Sequence, residues 1–530
     1  MKKQFTILSI LLLITTMMIS GCTTDKNQIS VDVCVYGGTA GGVIAAYSAK
    51  KLGKSVILIE PSKHLGGMTT GGLGSTDIGN KQAITGLAHQ FYCRIGKHYG
   101  KDEQWTFPPS VASEVIDSYI KEAQIDVMYQ KRIIKADVEN HMIKTIALED
   151  AADSNIQPII IKAKQFIDCS YEGDLMAHAG VSFTVGRESN STYGETFNGS
   201  SLAIYHQFPD GIDPYKIEGD STSGLCWGIS PSKLTPAGSG DSLVQAYNFR
   251  LCLTDVEANR RPFEKPANYD PSMYELLGRA AQKMDQNINL FLLINWDIMP
   301  DRKFDVNNRG PLSTDMIGAN HDYPTADYAT REKICEAHIN YTKGLMYYMT
   351  HDEKMPKSLR EEIGKLGWAK DEFIDNDNFP TQLYVREARR MIGEYVMTQN
   401  NCEGREVVKD SIGMAAYTMD SHNCTRIVVD GMVKNEGDVQ QGGFPPYHIA
   451  YRSLTPRREE CTNLLVPACL SASHIAYGSI RMEPVFMVLG QSAATAACMA
   501  IDSDCAVQEI DVTALQTLLK EDPYLTKKLF

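Results

Sequence analysis

Val31-Asp32-Val33-Cys34-Val35-Tyr36-Gly37-Gly38-Thr39-Ala40-Gly41-Gly42 is the stretch on which the architecture turns. Val31 to Tyr36 is β-branched and apolar, as a buried strand requires, and it ends in glycines. From Gly41 to Leu52 the chain is Ala- and Lys-rich and reads as a helix, which Gly53 stops. Ser55-Val56-Ile57-Leu58-Ile59 is a second buried strand, and Glu60 stands at its tip, 23 positions after Gly37. This is a βαβ unit. In such a unit the glycine turn lets the backbone approach a pyrophosphate, the helix N-terminus supplies N–H donors, and the acid receives ribose hydroxyls. Against the G-x-G-x-x-G pattern, residues 37–42 carry Thr39 at the middle glycine position. The alternative is a glycine-rich loop that serves only turn geometry.

The chain has 530 residues, 43% hydrophobic and 22% charged, so it can bury at least two cores at roughly 150 residues per domain. This composition excludes disorder, collagen and disulfide-stapled miniproteins. With 65 acidic against 52 basic side chains, net charge −13, no concentrated positive surface is expected for nucleic acid, and small-molecule chemistry is favoured. Lys2 and Lys3 precede an apolar run from Phe5 to Ile19, and small residues follow, so residues 1–21 read as an export signal. Ile19-Ser20-Gly21-Cys22 resembles the bacterial lipobox, which implies a lipidated Cys22 and a protein tethered in the periplasm or at the cell surface. A plain signal peptide with a chance cysteine is the alternative. Of 13 cysteines, none beyond Cys22 stands three residues from another. No C-x₂-C run offers zinc or iron–sulfur ligands, no metal is expected, and most thiols read as small core hydrophobes.

A second glycine cluster, Leu65-Gly66-Gly67-Met68-Thr69-Thr70-Gly71-Gly72-Leu73-Gly74, follows Glu60 almost at once. NAD sites do not need it, whereas FAD enzymes of the glutathione-reductase and fumarate-reductase type carry such a segment, so the cofactor reading moves to FAD. From here the chain resembles the FAD-dependent oxidoreductase family, in the group of heterodisulfide-reductase-like flavoproteins whose exported members often carry the label xanthan lyase. The resemblance rests on Gly37-Gly38-Thr39-x-x-Gly42 with Glu60, on Leu65-Gly66-Gly67-Met68, and on Phe166-Ile167-Asp168-Cys169-Ser170-Tyr171-Glu172-Gly173-Asp174-Leu175. It continues through Tyr384-Val385-Arg386-Glu387-Ala388-Arg389-Arg390-Met391-Ile392-Gly393, Asp420-Ser421-His422, Pro446 to Arg452, Ser473 to Pro484 and Gly490-Gln491-Ser492-Ala493. The namesake heterodisulfide reductases carry iron–sulfur clusters, which this chain's cysteine spacing does not support.

The resemblance implies an α/β, two-dinucleotide-binding (glutathione-reductase-like) Rossmann FAD domain with an inserted α+β substrate domain. The boundaries read as an FAD-binding first part at 30–189, a substrate or cap domain at 190–404 and an FAD-binding C-terminal part at 405–520. It also implies cofactor contacts at Gly37, Gly38, Thr39, Gly42, Glu60, Gly66, Gly67, Met68, Asp168, Gly173, Asp174 and Gly490. Val485 to Ile501, Ala-rich after Pro484, suits a buried helix whose first turn faces the flavin, and Arg481 is placed to stabilise negative charge on the reduced ring. An ion pair with Glu483 or another acid is the alternative for Arg481. Leu383 to Met397 has spacing suited to a helix, with Arg386 and Arg389 expected to pair with Glu387 and Glu394. Oxidising a C–H next to O or N needs a base near that carbon, for which His422 and His474 are the histidine candidates, while Tyr447, His448 and Arg452 offer a polar rim for a hydroxylated or anionic substrate. His64 is positioned for covalent flavin attachment, or is a surface-loop histidine. The expected activity is hydride transfer from an organic substrate, a sugar or polyol, to FAD, with electrons passing to an unidentified acceptor. A polysaccharide lyase or a flavin-binding module without turnover are the alternatives.

Overall fold

The computed structural model describes residues 27–284, 289 and 293–521 of the chain; the signal at 1–21 and Cys22 lie outside the described residues. Strand β1 (Gln28–Tyr36) enters the core at Val33, and Val33 to Tyr36 have no exposed surface. It turns into helix α1 (Ala40–Lys51) and returns through β2 (Val56–Glu60), which lies parallel to β1 with Val33 against Val56 and Tyr36 against Ile59. Helix α2 (Pro109–Ala123) leads to β3 (Asp126–Tyr129), which extends the parallel sheet beyond β2. An antiparallel hairpin of β4 (Lys131–Glu139) and β5 (Met142–Asp150) then feeds β6 (Ile159–Asp168).

β6 inserts beside β1 in parallel, from Gln28 opposite Ile160 to Tyr36 opposite Asp168, giving the order β3-β2-β1-β6-β5-β4. Leu464–Leu465, from far along the chain, adds a parallel strand at the C-terminal half of β6. The central strands are buried on both faces, which explains their unbroken apolar runs. The C-terminal ends of β1, β2 and β6 converge at Tyr36, Glu60 and Asp168, the edge at which ligands bind in open α/β sheets.

Helix α3 (His474–Ile480) packs on the strand Met419–Val429, and the next helix, α4 (Glu483–Ser503), joins α1 in covering one face of the sheet. α4 has the length and apolarity to cross a bilayer, yet 89% of its apolar window is buried in the fold, so it is the core helix that packs along α1. The middle of the chain builds a five-stranded antiparallel sheet in the order Arg260–Arg261, Gly367–Ala369, Leu251–Thr254, Lys303–Asn308, Ile294–Met299, and also carries the 24-residue helix Tyr328–His351. A long hairpin of Met419–Val429 and Met432–Gln441 follows, with Asp420 opposite Gln440. The fold is thus mixed α/β and Rossmann-type.

The helix expected over Leu383 to Met397 is not formed. That segment runs extended, with only Arg390–Met391 in a two-residue strand against Phe183–Thr184. Its amides donate to distant carbonyls: Tyr384 to Asn248, Met391 to Cys469, Ile392 to Ser182. Arg386, Glu387 and Arg390 are all buried, and each needs a charged partner in a different direction, which an extended chain supplies and a helix with one apolar face does not.

Candidate functional site

The end of β1 abuts the first turn of α1. Gly37 has φ +96°, and a Cβ there would lie 2.5 Å from the Ser170 amide nitrogen at the end of β6. A Cβ on Gly42 would overlap the Gly37 carbonyl oxygen, so the helix can start this close to the strand only with glycine there. Thr39, the departure from the glycine pattern, is the N-cap of α1: its Oγ1 accepts from the Gly42 amide at 3.2 Å and donates to the Cys169 carbonyl at 2.9 Å. The first-turn amides of α1 have no intrahelical acceptor and face the same strand edge. Glu60 is buried at the tip of β2, accepting from the Gly38 amide at 2.8 Å and the Ser62 amide at 2.6 Å; burial raises its pKa despite these bonds. A glycine-rich turn, a helix N-terminus and an acid one strand away fit the pyrophosphate and ribose of a dinucleotide.

The second glycine segment docks on this turn, the Gly66 amide donating to the Gly38 carbonyl at 2.7 Å. Beyond Gly67, the Met68 amide donates to the Tyr171 hydroxyl at 2.9 Å, and that hydroxyl donates to Glu483 at 2.6 Å. Thr69 donates to the other Glu483 oxygen at 2.8 Å. Glu483 is the first residue of α4, and burial pushes its carboxyl up to about 7 against the pull of Tyr171 and Thr69. The loop continues to Gly74 and Ser75, whose amides donate to Asp305 at 2.9 and 2.6 Å, and Asp305 is held by Arg250 at 2.7 Å. The glycine segment is thereby clamped between α4 and the middle sheet.

Three other expected cofactor residues work as supports. Asp168 is fully buried and accepts from the Ser170 amide and hydroxyl and from the Met176 amide, shaping the turn that carries Gly173; burial raises its pKa to about 6. Asp174 is taken by Arg331 and Arg389, each at 2.7 Å. Gly490 lies against the backbone of Gly41, where any Cβ would strike the Gly41 carbonyl, so it sets the approach of α4 to α1. His64 sits on an exposed stretch with its Nε2 2.8 Å from Asp375.

The polar centre lies between α3, α4 and the long hairpin. His422 has Nδ1 2.7 Å from Asp315 and Nε2 3.4 Å from Asp420. Asp420 also takes Arg481 at 3.0 Å, and Arg481 donates to the Tyr384 hydroxyl at 3.0 Å. Burial and the adjacent Arg386 oppose a charge on His422, but Asp315 and Asp420 outweigh them and its pKa is raised. Asp420 is buried too, yet His422 and Arg481 hold it down at about 2. Arg481 therefore pairs with Asp420, and Glu483, the acid two residues on, bonds elsewhere. His474 is saturated: Nδ1 meets Glu387 at 2.7 Å, Nε2 meets the Ser421 hydroxyl at 2.9 Å, and its amide donates to Glu188 at 2.9 Å.

The expected partners of the arginines are corrected by this packing. Arg386 pairs with Asp315 at 2.9 Å and Arg389 with Asp174, while Glu387 is bound by His474 and by Arg390 at 2.6 Å; Glu394 accepts from the Arg458 amide. The expected rim is also dispersed. Tyr447 is buried with its hydroxyl donating to Ser479 at 2.7 Å, His448 meets Ser411 at 2.8 Å, and Arg452 is half-exposed on Asp410 at 2.9 Å. Arg452 has no contact with the His422 cluster among the described residues. Asp315 and the Arg250–Asp305 pair were not expected at the site, and Tyr384 and Asp420, though inside motifs of the resemblance, were given no role there. Asp420, two residues before His422 on one strand and so on the same side, was the one with a legible signal.

The sequence family described as FAD dependent oxidoreductase matches residues 32–519. A search of curated proteins finds no match. Among solved structures the chain is similar to that of Thermovibrio ammonificans THI4, at 18% identity over 34% of this chain and 74% of that one, with TM-score 0.25. It is similar also to 3-ketosteroid-delta4-(5alpha)-dehydrogenase from Rhodococcus jostii RHA1, at 13% identity over 31% of this chain and 50% of that one, TM-score 0.21. A flavoprotein/dehydrogenase from Cytophaga hutchinsonii is 15% identical over 34% of this chain and 44% of its own, TM-score 0.22.

Proposed function

Because the chain belongs to the FAD dependent oxidoreductase family over residues 32–519, we propose that it removes a hydride from a hydroxylated organic substrate, a sugar or polyol, beside the His422 cluster. FAD is the cofactor, and when bound it supplies the two-electron acceptor for that hydride. Gly37, Gly38, Thr39, Gly42 and Glu60 hold its nucleotide end, and Gly66, Gly67, Met68 and the start of α4 hold the other. The observation that carries the reading is His422, set between Asp315 and Asp420 and joined through Asp420 to Arg481, which stands two residues before the Glu483 clamp on the Met68 segment.

Each group has a task in that geometry. The neutral imidazole of His422 takes the substrate hydroxyl proton at Nε2, whose contact with Asp420 is the looser of its two. As the C–O bond becomes C=O, the carbon's hydrogen leaves with its electron pair. Asp315 keeps the Nδ1 proton in place and stabilises the imidazolium. Arg481 and the N-terminus of α4 place positive potential where negative charge accumulates. Electrons leave to an acceptor not yet identified. His474 and Tyr447 are positioning residues, because their polar atoms are already occupied.

Residues 30–189 and 405–520 are read as two halves of one cofactor domain, supported by Leu464–Leu465 on β6 and by α4 on α1, with 190–404 inserted over it. The leader and Cys22 support export and lipid attachment, which a Cys22→Ala variant and fatty-acid labelling test directly.

Anaerobic mixing of FAD-loaded protein with a panel of sugars and polyols tests the activity. At least one is expected to bleach the oxidised flavin band, with His422→Asn slowing that step roughly 100-fold or more at unchanged FAD content. Failure of every substrate, or an indifferent His422→Asn variant, defeats the reading.

A further inference from the structure

The loop that follows the short hairpin of Tyr215–Ile217 and Asp220–Leu225 sets an indole between two cavities. Trp227 lines both, one of about 340 Å3 and one of about 540 Å3, and is the residue they share. Each volume is that of a small-ligand site, roughly 300–1,000 Å3. No residue of the His422 cluster or of the cofactor segments lines either cavity, so this place is apart from the oxidation centre. The indole is held from behind: its ring stacks on that of Tyr341, with centroids 5.5 Å apart and planes 21° apart. Tyr341 is itself buried, its hydroxyl donating to the Ser313 carbonyl at 2.7 Å. Tyr341 covers the inner face of the indole and leaves the other to the cavities. The loop is tied at both ends, the Cys226 amide donating to the Pro214 carbonyl at 2.8 Å and the Ser230 amide to the Arg426 carbonyl at 2.7 Å. Gly228 turns between them at φ +77°, where a Cβ would lie 3.0 Å from Arg426 Nη1.

The walls around this ring carry hydroxyls and N–H groups. In the smaller cavity His321 accepts from the Val244 amide at Nδ1 at 3.1 Å, which puts its proton on Nε2, and burial lowers its pKa. That Nε2, the Thr425 hydroxyl and the Trp227 Nε1 have no hydrogen-bond partner among the described residues. Ser232 accepts from the Ser230 hydroxyl at 3.0 Å and keeps its own proton to donate, and the larger cavity adds the Ser272 hydroxyl. A fixed aromatic face ringed by groups that donate and accept matches the C–H face and the hydroxyls of a sugar ring. A hydrocarbon would take water from these polar groups and give nothing back. An anion would meet a single lining cation, Lys216, with the Glu275 carboxylate in the same wall. Two cavities on one aromatic wall call for at least two linked rings.

We propose that the two cavities form a binding groove for a neutral oligosaccharide of two or more sugar units, one ring lying on Trp227 and its hydroxyls held by His321, Thr425 and Ser232. The groove binds the sugar chain without oxidising it, and it stands independently of the hydride-transfer reading above.

Calorimetry on the FAD-loaded protein tests this with cellotetraose, mannotetraose, xylotetraose and β-1,4-galactotetraose, each beside its monosaccharide, and with tetragalacturonate as the anionic counterpart. At least one neutral tetrasaccharide is expected to bind about tenfold or more tightly than its monosaccharide, and Trp227→Ala to weaken it about tenfold or more at unchanged FAD content. Ser232 is exposed, so Ser232→Tyr fills the smaller cavity without touching the core and is expected to weaken binding as well; the test therefore does not depend on Trp227→Ala folding. Binding of no neutral tetrasaccharide, equal affinity for the monosaccharide, tighter binding of tetragalacturonate, or an unchanged affinity in either folded variant overturns the groove. Tetrasaccharide binding that depends on Trp227 and Ser232 upholds it whether or not any sugar bleaches the flavin, since bleaching reports on the His422 site alone.

Discussion

At position 39 the glycine pattern is broken, and the break is useful: the threonine caps α1 and ties β1 to the end of β6 through Cys169. Gly42 tolerates no such exchange. Gly42→Ala pushes a methyl group into the Gly37 carbonyl, a clash no rotamer relieves, and is expected to cost about 2 kcal/mol or more together with FAD retention, measured by urea unfolding and by flavin co-elution. Glu483 carries a pH signature. Its folded pKa of about 7 exceeds the ordinary 4.5, so between those values the native state keeps a proton that the unfolded chain has lost. Stability is therefore lost as pH rises through that window, by at most about 3 kcal/mol at about 1.4 per unit. Urea midpoints of FAD-free protein should fall from pH 5 to pH 7 less steeply in Glu483→Gln, and identical slopes would remove this group from the account. His422 has its pKa raised above 6.5, and a base must be neutral to act. Flavin reduction should gain rate as pH rises through that raised value, and His422→Asn should lose this limb.

Among elements, the contact of α1 with α4 shows how one small residue sets a distance. Gly490→Ala places a Cβ on the Gly41 carbonyl and must push the two helices apart, lowering both thermal stability and FAD affinity, whereas a packing-neutral change on the exposed side would alter neither. The segment from Leu383 to Met397 teaches the opposite lesson. Its charge spacing matches a helix, but Arg386, Glu387 and Arg390 find Asp315, His474 and Glu188 on three separate parts of the chain. Periodicity reports which residues share a helical face and carries no information on partners roughly 70 to 200 positions away. Arg390→Met leaves Glu188 and Glu387 buried without their counter-charge and is expected to destabilise by roughly 3–5 kcal/mol, readable as a shift in urea midpoint.

Across the whole molecule, buried ion pairs tie the regions together: Arg187 to Glu436, Arg331 to Asp174, Arg386 to Asp315 and Arg390 to Glu188. The four tryptophans, Trp105, Trp227, Trp296 and Trp368, lie mostly in the middle region, while the flavin reports on the ends. Tryptophan fluorescence and flavin release should therefore follow one urea transition, and two separated transitions would show that the middle region folds by itself. The βαβ unit, the second glycine segment, the buried apolar helix after Pro484 and the absence of clustered cysteines were legible because each is a local pattern of side-chain size and polarity. The sequence by itself determined the nucleotide-binding frame and, through the second glycine segment that follows it, the choice of FAD. Only the tertiary structure decided that His474 is saturated while His422 stands between two acids, and that Arg452 is taken by Asp410. Those outcomes depend on charges brought together from distant positions, where desolvation makes each pairing strong and no spacing rule along the chain predicts it.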